Sequence, residues 1–168
     1  SHEYVAAKGS PENLTQITFS LSVEDEPVNL RRWETVTQVL EARLRRAFMA
    51  EVGSTQGIDV ALELPLHPSC VPIWLTLQFR SSPAKTERLV EVAVRELQQL
   101  QKSGPTQEEV QTATELQQRN DLYWEGDNGY WLSLLSNNYQ LGMCLDAMSA
   151  DRKLSQPSAA DITEFLRK

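Results

Sequence analysis

Two incompatible periods meet within the first fifty residues, and that meeting restricts the chain more than any other feature. Ile17, Phe19, Leu21 and Val23 alternate with Thr18, Ser20, Ser22 and Glu24, a period of two that fits a strand with one buried face. From Asn29 to Phe48 the apolar residues Trp33, Val36, Leu40, Leu44 and Phe48 recur at steps of three and four instead. That is the stripe of an amphipathic helix, with Glu34, Gln38, Arg43 and Arg45 expected toward solvent or a partner. A half-apolar strand and a long striped helix must bury their faces against each other, so a sheet layered with helices is required from the start.

The rest of the chain extends the pattern. Ile58, Val60, Leu62 and Leu64 alternate up to Pro65, and Val71, Ile73, Leu75, Leu77 and Phe79 alternate after a loop at Leu66-His67-Pro68-Ser69. The two runs read as an antiparallel pair. Ser82-Pro83 is a helix start, a hydroxyl followed by a proline that has no N–H to leave unpaired. The inner stripe of that helix is expected at Leu89, Ala93, Leu97 and Leu100, flanked by Val90 and Val94, with Gly104-Pro105 as its stop. Thr106 and Glu109 have the spacing of a capping box, and the helix they open should turn Val110, Ala113, Leu116 and Asn120 inward. Glu125 to Gly129 is a local break, helical spacing resumes from Tyr130 to Leu145, and Ser158 with Asp161 repeats the capping signal before Ile162, Phe165 and Leu166. The predicted order is β-α-β-β-α-α-α-α: an α+β fold with an antiparallel or mixed sheet and helices packed on one face. No repeat, low-complexity tract or linker divides residues 1–168, so one domain is expected. Ser1-His2 reads as a tag remnant joined to an internal piece.

Composition removes whole classes of function. Sixteen Lys and Arg stand against 23 Asp and Glu, a net charge of −7, and no basic stripe with interleaved aromatics appears. Both observations argue against a nucleic-acid partner and against an anionic membrane surface. No apolar run approaches the roughly 20 residues that cross a bilayer. Two cysteines, Cys70 and Cys144, are too few for a disulfide framework. The two histidines, His2 and His67, are too few for a histidine-rich metal site.

Each remaining constellation has an ordinary structural explanation beside its chemical one. His67, Cys70 and Cys144 could share a zinc ion, but structural zinc takes two close pairs of ligands and only one close pair exists. A loop histidine and two core thiols is the expected reading. His67 beside Ser69 and Cys70 does not form a nucleophilic dyad on sequence grounds, and no Gly-x-Ser-x-Gly elbow surrounds any serine. Glu24-Asp25-Glu26, Glu108-Glu109 and Glu125/Asp127 could be acid–base pairs. The first two flank helix starts, where negative charge offsets the helix dipole. The loop holding Asp127 and Asn128 lacks the ligand count of an EF-hand, and no glycine-rich phosphate cradle is present. Tyr123, Trp124, Tyr130, Trp131 and Tyr139 straddle the helix break and are expected in the core, with a peptide groove as the alternative. Arg31, Arg32, Arg43, Arg45 and Arg46 crowd one helix, where guanidinium forks could grip a carboxylate or simply face solvent.

The order of landmarks carries a more specific signal. Ala7-Lys8-Gly9 precedes the first strand, the long helix runs into Glu51-Val52-Gly53-Ser54-Thr55, and the paired strands end at Phe79-Arg80-Ser81-Ser82-Pro83. The segment LQKSGPTQEEV follows over residues 100–110, and the step N-x-x-W-L spans Asn128 to Leu132. Through roughly residues 5–166 this series resembles the C-terminal half of zinc peptidases of the pitrilysin/insulinase family, in particular its PqqL-like group. The resemblance implies repeated α+β domains arranged as two halves around a peptide chamber. It also implies a zinc ion held in the N-terminal half by an inverted His-x-x-Glu-His motif and a distal Glu, with the motif Glu as general base. Two histidines 65 positions apart cannot supply that motif. The chain is accordingly expected to be a non-catalytic piece of a zinc metalloendopeptidase, with no cofactor of its own, and with the parent's N-terminal half and peptide substrates as its partners.

In active relatives the C-terminal half contributes an Arg and, seven residues later, a Tyr that stabilise the oxyanion. Aligning on Gly53 places Met49 and Gln56 at those positions, and neither side chain can do the same chemistry. The resemblance therefore implies a substrate-facing set of Gly53, Gln56, Ile58, Arg45 and Arg46, with no catalytic and no metal-binding residue. The strand Ile58–Leu64 is expected to face the chamber and take extended peptide along its edge. The alternative is a non-enzymatic interaction or assembly domain of the same fold. A self-contained enzyme using His67 is a third reading, one in which replacing His67 by Ala would abolish turnover.

Overall fold

In a computed structural model, the structure describes residues 2–5, 12–21, 30–53, 57–63, 73–140 and 157–167. Strands β1 (His2–Val5) and β2 (Asn13–Leu21) lead into helix α1 (Leu30–Val52), followed by β3 (Asp59–Glu63) and β4 (Ile73–Ser81). Four helices complete the order: α2 (Pro83–Ser103), α3 (Gln107–Glu125), α4 (Asn128–Gln140) and α5 (Ala159–Phe165). The α+β order read from the sequence is present, with one strand added in front. His2, expected to be a tag remnant, opens that strand and lies opposite Ile17.

The sheet is antiparallel throughout, in the order β1-β2-β4-β3. Its register explains why period two was the strongest signal. Ile17, Leu77 and Val60 form one lateral row and Phe19, Leu75 and Leu62 the next, so one face of three strands is continuously apolar. Against it α1 buries Trp33, Val36, Leu40, Leu44 and Phe48, the stripe expected from their spacing. Phe48 meets Phe79 of β4 edge-on at 5.0 Å, the preferred geometry for two ring quadrupoles. The opposite face is mostly polar, with Leu14 and Trp74 as its exposed apolar exceptions. Gln78 donates to Gln16 at 3.2 Å and Thr76 to Glu63 at 3.2 Å, which ties the three strands together on the side that carries no apolar row.

The helix ends follow local chemistry. Gly53 ends α1 with φ of 70°, its N–H donating to Met49 O, and Gly104 ends α2 with the same positive φ and an extended ψ of 178°, its N–H on Leu100 O. Only glycine enters that region at no steric cost. The two capping boxes are formed at Thr106/Glu109 and Ser158/Asp161. Ser82 precedes α2 as expected, but its side chain makes no cap bond. Thr86 instead donates back to Ser82 O and pairs with the Ser81 hydroxyl, so that local threonine and Pro83 set the helix start.

Four expectations about faces need correction. In α2 the fully buried Val92 joins Leu89, Ala93 and Leu100, while Leu97 is only partly covered. In α3 the inner face runs through Val110, Ala113, Thr114 and Gln117, and Leu116 and Asn120 lie outside. Gln117 is tolerated inside because its amide donates to Thr35 on α1, and a satisfied buried amide avoids the cost of an orphan. Arg43 and Gln38 do not simply face solvent: Arg43 is almost covered by an ion pair to α3 and Gln38 is half-buried. Finally, the aromatic residues around the α3–α4 break are not a buried core. Tyr123, Trp124, Trp131 and Tyr139 are exposed, and Tyr123, Trp124, Tyr130 and Trp131 meet ring to ring in a chain of edge-on and stacked contacts.

Candidate peptide-facing edge

Strand β3 is the last strand of the sheet and pairs with β4 on one side. No described strand lies on its other side, so its outer row of backbone donors and acceptors is placed as an edge. The approach to it is built by two left-handed glycines. Gly53 is exposed and a Cβ there would meet nothing within 4 Å, whereas a Cβ on Gly57 (φ 69°) would press on Arg80 Cγ at 3.2 Å. Gly53 is therefore needed for its backbone, and Gly57 for backbone and space together.

The substrate-facing set inferred from the sequence divides on the structure. Ile58 is a core residue, 5% exposed, and only its backbone is open to other use. Its carbonyl accepts from Arg45 Nη2 at 3.0 Å. Arg45 also holds Glu41 one turn back, so its guanidinium fastens the end of α1 to the start of β3. Arg46 points elsewhere, onto Glu109 of α3 at 2.8 Å. Met49 is exposed beside Gly53. Gln56 lies outside the described residues, as do His67, Cys70 and Cys144.

The strongest electrostatic arrangement lies where α1, α2 and α3 meet. Arg43 makes a two-bond fork to Glu109, Nε to Oε1 at 2.9 Å and Nη2 to Oε2 at 2.7 Å, and its Nη2 also donates to Gly104 O at 3.1 Å. Arg46 and the Thr106 N–H complete the shell around the carboxylate. Burial pushes the Glu109 carboxyl up, but these hydrogen bonds and the Arg43 charge outweigh it and hold the group at about 2, against an ordinary 4.5. From the sequence, Glu109 reads as a helix cap and the arginines as a solvated face. Their separation by more than sixty residues hid the fact that the carboxylate gripped by the guanidinium forks is the chain's own. An open cavity of about 430 Å³ lies beside the pair, lined by Arg43, Arg46, Ala47, Glu96, Gln99 and Glu109.

A catalytic zinc takes three protein ligands and a water. The described residues contain no group of three or more His, Cys, Asp or Glu able to hold a metal, so they do not fit that ion. No helix among the described residues is long and apolar enough to cross a membrane.

The four-stranded antiparallel sheet, with the long α1 running between β2 and the edge strand β3 and four further described helices, has counterparts among solved structures. The peptidase M16 inactive domain from Pseudomonas fluorescens superposes with a TM-score of 0.78 at 14% identity, over 94% of this chain and 38% of that one. The periplasmic protease PqqL from Escherichia coli superposes with a TM-score of 0.69 at 14% identity, over 95% of this chain and 18% of that one. In sequence, the chain is 28% identical over 133 residues to the zinc protease PQQL-like protein of Arabidopsis thaliana, which covers 77% of this chain and 14% of the relative. No family model matches the chain. The resemblance to pitrilysin-type zinc peptidases thus stands in both sequence and fold, and the chain spans about one seventh of its curated relative's length.

Proposed function

We propose that this chain is a non-catalytic domain from the C-terminal half of a zinc metalloendopeptidase, helping to form the chamber that receives peptides. The zinc and its general base belong to the N-terminal half in this reading. The observation that carries it is the superposition on a peptidase M16 inactive domain across nearly the whole chain, joined to the sequence likeness to a zinc protease-like protein. The local geometry supports it. Among the described residues β3 is an edge strand, whose outer row of backbone groups can pair with an extended peptide. Gly53, Gln56 and the Ile58 backbone lie along that approach in the chain, with Arg45 bracing the start of β3.

The test is to mix the purified chain with the parent's N-terminal half and follow a quenched peptide. Cleavage should rise at least tenfold over the N-terminal half alone, since chamber walls act by positioning substrate. Association of the two parts with no gain in cleavage would remove the chamber role and leave an assembly domain.

A further inference from the structure

The edge strand β3 is charged on one face only. Val60 lies in the core row of Ile17 and Leu77, and Leu62 in the next. Side chains alternate along a strand, so Asp59, Ala61 and Glu63 stand on the other face, beside Gln78, Thr76 and Trp74 of β4. Asp59 and Glu63 are exposed, and Ala61 between them is partly covered. The two carboxylates are about 13 Å apart along the strand. Glu63 accepts from Thr76 Oγ1 at 3.2 Å. Among the described residues neither carboxylate has an ion-pair partner. Arg80, on the same face of β4, runs beside Gly57 ahead of the strand.

Two like charges on an edge have two consequences. The edge rejects a second copy of itself: antiparallel pairing of two β3 strands centred on Ala61 sets Asp59 opposite Glu63 twice, and like charges directly opposite are destabilising. That is one way in which an exposed edge is kept from pairing with its own kind. The same charges select a different partner. Residues directly opposite on paired strands share a face, with Cβ atoms about 4.5–5.5 Å apart, so a Lys or Arg on an added strand reaches the carboxylate it faces. To meet both carboxylates, two basic residues must stand four positions apart, in parallel and antiparallel addition alike, because both strands rise by nearly the same step. The residue midway between them faces Ala61, and its two neighbours fall on the helix side, beside Val60 and Leu62. We infer that the β3 edge takes an extended basic peptide, with Lys or Arg at two positions four apart held by Asp59 and Glu63, and apolar residues next to them facing Val60 and Leu62. The inference rests on the reading of β3 as a peptide-facing edge and adds to it the class of peptide.

Fluorescence anisotropy of the 168-residue chain tests it with three labelled peptides: Gly-Arg-Val-Ser-Val-Arg-Gly, and the same sequence with Gln or with Glu replacing both arginines. At low salt the Arg peptide should bind about tenfold tighter than the Glu peptide, with the Gln peptide between them, and the ratio should shrink at about 0.5 M salt. Asp59→Asn plus Glu63→Gln should remove this ranking and leave binding of the Gln peptide unchanged. Glu87→Gln plus Glu108→Gln takes the same charge from exposed positions on α2 and α3, and the ranking should survive it. Equal binding of the three peptides overturns the inference and leaves the peptide edge standing. A ranking that persists after Asp59→Asn plus Glu63→Gln also overturns it, since the net charge of −7 would then be the cause. No binding of any peptide overturns the inference and the edge together. The expected ranking with no gain in cleavage in the mixing assay sustains the inference and removes only the chamber role.

Discussion

Replacing Arg43 by Met is expected to lower the unfolding midpoint by roughly 6–12 °C, from about 3 kcal/mol lost at 2–4 °C per kcal/mol for a chain of this size. The reason is asymmetry. Arg43 and Glu109 side chains are 11% and 14% exposed, and removing the guanidinium leaves a covered carboxylate with fewer donors and the Gly104 carbonyl without its side-chain donor. Arg46→Met is the matched control. Its side chain is 67% exposed, and losing it should cost under about 1 kcal/mol. The pair also sets an acid limb. Glu109 has a folded pKa of about 2 against 4.5, so the unfolded state binds the proton more readily. The stabilisation is complete above about pH 4.5 and falls away as pH drops toward 2. In Arg43→Met that limb should shrink, and urea midpoints measured at pH 7 and pH 3 would then differ less than in the wild-type chain. An unchanged acid limb would show that Glu109 is not its source.

Gly104→Ala should be comparably damaging for a different reason. Gly104 has φ of 70°, and a Cβ built there would sit 1.9 Å from Thr163 Oγ1 and 2.8 Å from Thr163 Cβ. The substitution must strain the turn and push α5 away, taking the fully buried Ile162 with it. The expected cost is about 3 kcal/mol, read as a fall in unfolding midpoint with early loss of protection on α5. Thr163→Gly removes the atoms in conflict, so the double variant should be more stable than the sum of the two single losses by about 1–2 kcal/mol. Strict additivity would contradict the contact.

The two variants mark the boundary of what the sequence made legible. Alternation in β2, β3 and β4 and the α1 stripe were readable because each depends only on near neighbours in the chain. The capping boxes at Thr106 and Ser158 were readable for the same reason. The Arg43–Glu109 fork and the Gly104–Thr163 contact join residues about sixty positions apart, and no local period announces them. β1 was missed because His2–Val5 is too short to show alternation and gains its identity from pairing with β2. Gln117 was missed because a polar residue was expected to point outward, and its partner Thr35 lies on another helix. The aromatic cluster misled in the opposite direction. Large rings at helical spacing ordinarily mark a core, but here Tyr123, Trp124, Trp131 and Tyr139 are exposed on the last turns of α3 and on α4. Of the substrate-facing set, Gly53 could be placed by its turn chemistry, whereas Ile58 belongs to the core and Arg45 and Arg46 are held by the chain's own acceptors.

The central claim is that hydrolytic chemistry belongs to polypeptide beyond this chain. It is tested most directly by saturating the purified 168 residues with zinc, removing unbound metal by dialysis, and measuring bound zinc and peptide cleavage on the same sample. The expected result is zinc far below one ion per chain and no turnover above buffer. One zinc held per chain, together with hydrolysis of the peptide, would contradict it.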